Sequence, residues 1–70
     1  MTQMKTEADL WNTARTILTR KQYDALFMRY KLDLTSDIIA HHLGITRQAV
    51  DDRLATARKR LADHIAQEAA

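Results

Sequence analysis

The sequence predicts an all-α fold: a compact four-helix domain with short connectors. Three observations carry this expectation. The 70 residues hold no proline and a single glycine, Gly44, so strong helix breakers are confined to one place. Apolar residues recur at spacings of three and four through most of the chain. Hydroxyl-bearing residues that suit helix N-termini stand at the head of each periodic stretch.

Residues 1–5 read as a frayed start, after which Thr6 is placed to cap a first helix over 6–18. Its stripe is Leu10, Trp11, Ala14, Ile17 and Leu18, all on one face. Thr19 opens a second helix, 19–31, with Gln22 three residues on. In that capping box each side chain satisfies the other residue's free backbone N–H. Tyr23, Leu26, Phe27 and Tyr30 form its expected core face. The stretch Lys31-Leu32-Asp33-Leu34 interrupts the period and reads as a connector. Thr35 or Ser36 caps a short third helix, 35–43, carrying Ile38, Ile39, Ala40 and Leu43. Gly44 ends it, because glycine enters the left-handed conformation without a Cβ clash. Thr46 caps the longest helix, 46–67, whose seam is Val50, Leu54, Ala57, Leu61 and Ile65.

Size and composition narrow the function. Residues 1–70 make one domain, and Met1 and Ala70 are expected to bound a complete small reading frame. So short a chain buries only roughly 60% of its unfolded surface. Cysteine is absent, which removes disulfides and thiolate metal sites. No apolar run approaches the roughly 18 residues of a membrane span, and no signal peptide is visible. A cytoplasmic protein with no membrane partner is expected. The formal net charge is only +2, but it is concentrated. Residues 46–60 carry five cations against two aspartates, and 19–34 carry four cations against two. The two basic blocks flank the segment around Gly44.

That segment has the spacing of a helix-turn-helix, formed here by the last two helices over 35–60. Two helices crossing steeply need a small residue at their contact, and Ala40 supplies one. Gly44, four residues on, suits the turn. Ile45 plugs the corner, and Val50 anchors the second helix to the core. Nothing resembles a catalytic or cofactor site: there is no nucleophile–base arrangement and no glycine-rich phosphate loop. His41 and His42 are adjacent and diverge by about 100° on a helix, so they do not share a metal. His64, beside Asp63, reads as surface. Neither an enzyme nor a bound cofactor is expected.

Residues 18–61 resemble region 4 of bacterial sigma factors, the part that reads the −35 promoter element. The likeness lies in Leu18-Thr19, Arg29-Tyr30, Leu34-Thr35 and Ile39-Ala40, then Leu43-Gly44-Ile45-Thr46, Ala49-Val50, Arg53-Leu54 and Ala57-Arg58-Lys59-Arg60-Leu61. LuxR-type domains are cousins, and Thr46-Arg47-Gln48-Ala49-Val50 is similar to small stand-alone proteins of the YlxM group. The resemblance implies a bacterial DNA-binding transcriptional regulator whose helix 46–60 enters the major groove. The face opposite the seam presents Arg47, Gln48, Asp51 and Asp52 as base-reading candidates, since arginine matches guanine, glutamine adenine, and a carboxylate the cytosine amine. Thr35, Ser36, Thr46, Arg53, Arg58, Lys21 and Arg29 are the phosphate candidates. The aspartates depart from relatives that carry lysine, arginine or serine there. A second reading is a protein-interaction module: an antiactivator, a decoy or a cofactor bound to RNA polymerase or another transcription factor. A third is a homodimer through Leu54, Leu61 and Ile65.

Overall fold

In the computed structural model, described over residues 7–69, the chain forms four helices and no strand. Helix α1 spans Glu7–Ile17 and α2 spans Arg20–Leu26, running directly into a π-helical segment, Phe27–Lys31. Helix α3 spans Ser36–Leu43 and α4 spans Arg47–Ala69. The all-α expectation and its four elements hold. The expected fraying of residues 1–5 and the Thr6 cap fall outside the described residues.

The capping chemistry sets the helix starts. The Thr19 hydroxyl accepts from the Gln22 N–H, and the Gln22 side chain accepts from the Thr19 N–H, each at 3.2 Å. Thr35, rather than Ser36, caps α3 by accepting from the Ile38 N–H at 3.3 Å. Thr46 accepts from the Ala49 N–H at 3.1 Å and so starts α4.

Helix α4 is the spine. Its 23 residues, at about 1.5 Å each, cover most of the molecule's 41 Å long axis. The core is Ala14, Leu18, Ala25, Leu26, Ile39, Ala40, Val50, Leu54, Ala57 and Leu61. Each of the four helices contributes a buried alanine: Ala14, Ala25, Ala40 and Ala57. The small side chain let the sequence mark Ala40 as a close-contact point, and the other three serve the same end. Around them Trp11, Tyr23 and Phe27 pack with ring centroids 5.7–6.0 Å apart.

Tyr30, expected on a core face, lies outside at 52% exposure, and Ile38 in the first turn of α3 is exposed as well. For Tyr30 the cause is the π-helical turn. The Leu32 N–H reaches back five residues to the Phe27 carbonyl (3.2 Å), and the Leu34 N–H reaches six, to Met28 (3.0 Å). The widened turn rotates Tyr30 off the stripe that a period of 3.6 predicts. For Ile38 the cause is geometry at the first turn of α3, where Ile39 and Ala40 take the buried side and leave their neighbour facing out. Asp33, at φ 57, then turns the chain into α3.

Candidate nucleic-acid interface

The site begins with the turn between α3 and α4. Gly44 adopts φ 69 and ψ 33, the left-handed conformation expected of it. The Ile45 N–H donates to the Ala40 carbonyl (3.0 Å) and the Gly44 N–H to His41 (3.3 Å). This pair of bonds is the Schellman pattern, which satisfies the last carbonyls of α3. Ile45 packs against the core, fixing the angle at which α4 departs. The first turn of α4 therefore lies exposed beside the first turn of α3.

Two of the four base-reading candidates lie where those turns meet. Arg47 Nε sits 3.9 Å from Asp37 of α3 and 3.8 Å from Asp51 one turn along α4. Asp51 also accepts from the Ser36 hydroxyl at 2.8 Å. Arg47, Asp51, Ser36 and Asp37 thus form a polar clasp across the two helices. The other two candidates point away from it. Gln48 Nε2 donates to Asp52 Oδ1 at 3.3 Å, and both residues are exposed. At about 100° per residue, Gln48 and Asp52 lie almost opposite the Val50–Leu54–Ala57 seam, whereas Arg47 and Asp51 lie on the flank toward α3. The sequence placed all four on one outward face. The contacts divide them into an outward pair and a clasp.

The phosphate candidates are divided too. Arg29, Thr35 and Ser36 line a groove of about 310 Å³ together with Asp37 and Arg47. Thr35 and Thr46 spend their hydroxyl oxygens on capping. Arg53 is half-buried on the flank of α4 away from α3, and Lys21 is exposed in the first turn of α2, outside the groove's lining. Arg58 belongs to a different feature: its Nη1 donates to the Tyr30 hydroxyl at 2.8 Å. The two side chains edge a cleft of about 450 Å³ whose floor is Leu10, Trp11, Ala14, Leu26 and Leu61. Glu7, at its other edge, accepts from Lys31 Nζ (2.8 Å) and Trp11 Nε1 (3.2 Å). The Lys31 hydrogen bond, helped by the Trp11 one, holds the Glu7 carboxyl below its ordinary value.

Sequence reasoning passed over Asp37 and placed Tyr30 in the core. Asp37 was legible in principle, since a carboxylate in the first turn of α3 meets whatever starts α4 once the turn is sharp. Tyr30 was not, because nothing in the residue types announces a π-helical turn. Among the described residues no helix is long and apolar enough to cross a membrane.

Comparison with curated proteins and with solved structures finds no match. A family model does match, over residues 1–67, with the description "Putative helix-turn-helix protein, YlxM / p13 like". That family agrees with the α3–Gly44–α4 geometry, and the chain belongs to the YlxM/p13-like helix-turn-helix family.

Proposed function

We propose that the chain is a small, cytoplasmic, bacterial transcriptional regulator that binds duplex DNA with the first turns of α4 in the major groove. The observation that carries this is the exposed, polar first turn of α4, set by the Gly44 turn and bordered by a groove with two arginines. In this reading Gln48 and Asp52 face the base edges. Arg29, Ser36 and Arg47 meet the backbone, with Arg53 and Lys21 as outer phosphate contacts. Arg47 reaches DNA by exchanging its carboxylate partners, both exposed and 3.8–3.9 Å away, for a phosphate or a guanine. The resemblance to sigma region 4 supports the same use of the helix.

The test is a salt series on random duplex, with the mass of the free protein measured alongside. Binding should weaken steeply with salt, and Arg29→Ala should lower the slope by about one unit. Undetectable binding at low salt would remove the DNA reading.

The apolar cleft favours a second reading, a protein-interaction module that docks RNA polymerase or another transcription factor. Tyr30 stands exposed beside it, and Arg58 at its edge bonds only the neutral Tyr30 among the described residues. On this reading Arg58→Glu abolishes binding to purified RNA polymerase, while Arg47→Ala and Gln48→Ala leave it intact. Retention of binding by Arg58→Glu would exclude the cleft.

A further inference from the structure

We propose that Asp52 is a positioning residue that fixes the amide of Gln48, so that the pair selects duplex sites with an adenine at the Gln48 contact. The inference rests on the DNA reading above and narrows it to a base. A glutamine amide has two faces of opposite hydrogen-bonding character. Turned one way it offers its oxygen to the adenine N6 amine and an N–H to N7. Flipped, it offers N–H groups to the O6 and N7 of guanine or the O4 of thymine. A free glutamine takes either orientation and discriminates poorly.

Here the choice is made within the protein. Asp52, one turn on, is an acceptor when ionised, so only the Nε2 side of Gln48 can face it, at 3.3 Å. One N–H is then occupied, leaving Oε1 and the second N–H for the base. That donor–acceptor pair matches the N7 and N6 edge of adenine. The carboxylate charge acts in the same direction, because it faces the acceptor-rich edge of guanine unfavourably. The neighbouring candidates lie on a different face: Arg47 and Asp51 are on the flank toward Ser36 and Asp37, not beside Gln48. An aspartate that lowers general affinity for phosphate thereby supplies selectivity.

The experiment uses the full chain and a site selected from a randomised duplex pool. At the position most sensitive to Gln48→Ala, adenine is replaced by guanine and by purine, which keeps N7 but lacks the N6 amine. The native protein should prefer adenine over both by on the order of tenfold or more. Asp52→Ala should bind all sequences more tightly at low salt but lose most of that preference. Asp52→Asn, which loses the charge but keeps an acceptor oxygen, should retain most of it. Asp52 is exposed, so unchanged melting curves check the folding of both variants. The proposal is overturned if Asp52→Ala keeps the adenine preference, if Asp52→Asn loses it as fully as Asp52→Ala, or if the native protein binds duplex without preferring adenine. Absence of binding to any duplex at low salt overturns the DNA reading itself.

Discussion

The two connectors that flank α3 both pass through the left-handed region, and they do so with different residues. Between α3 and α4 the left-handed residue is Gly44, at φ 69. It is enclosed in two back-bonds to α3 and followed by an isoleucine that packs on the core. Between the π-helical segment and α3 it is Asp33, at φ 57, following a widened turn whose bonds span five and six residues. One turn uses a residue with no Cβ to clash. The other accepts strain of order 1 kcal/mol in a side chain that tolerates it better than most. The angle between α3 and α4 is therefore set by local chemistry, whereas α3 meets the π-helical segment across a turn that a non-glycine residue makes.

The largest expected effect is at the residue both turns serve. Ile39 is fully buried, at 0% exposure, between the two connectors. Ile39→Ala should cost about 2–5 kcal/mol, a large share of the stability of so small a domain. Urea or thermal melts read it directly. A cost near zero would mean that α3 is not held from both sides.

A smaller effect separates the two turns. A Cβ at Gly44 would meet nothing within 4 Å, so any penalty there comes from the backbone alone. Gly44→Val should cost more than about 1 kcal/mol, and Gly44→Asn distinctly less, because asparagine visits this region more readily. Asp33→Gly should run the other way, gaining from a few tenths up to about 1 kcal/mol by releasing strain. If Asp33→Gly destabilised as much as Gly44→Val, the contrast between the turns would collapse. Melting curves of the three variants decide it.

The same contrast explains what was legible in the sequence. Gly44, the three threonine caps and the α4 seam follow from residue type and spacing, and their structures agree. Residue type and spacing announce neither the turn at Asp33 nor the π-helical segment, so Tyr30 was assigned to a core it does not enter. For the candidate interface the sequence supplied the residues but not their pairing. A helical wheel puts Arg47, Gln48, Asp51 and Asp52 together. Only the approach of α3 shows that Ser36 and Asp37 engage the first and third of these, leaving Gln48 and Asp52 to each other.

The smallest expected effect tests how the π-helical segment is tied to α1. Lys31, its last residue, reaches Glu7 in the first turn of α1 at 2.8 Å, and Trp11 donates to the same carboxylate oxygen. Both groups of the ion pair are substantially exposed, at 44% and 62%, so salt should weaken the tie. The Glu7 carboxyl is held below its ordinary value in the folded chain. A depressed folded value means that the unfolded chain takes up a proton first as pH falls. The stabilisation is thus fully present at neutral pH. It declines as pH drops past the ordinary glutamate value of about 4.3 and is gone below the folded one. Glu7→Gln should therefore be slightly less stable than the native chain at neutral pH and low salt. The two stability curves should converge in acid or in high salt. Trp11, the domain's one tryptophan, offers a fluorescence signal at the tie itself for following both titrations. A difference between the chains that stayed constant from neutral pH into acid would show that the carboxylate charge does not join α1 to the π-helical segment. The position of that segment would then rest on the packing of Trp11 against Tyr23 and Phe27, on Met28 against the core, and on the Arg58–Tyr30 hydrogen bond.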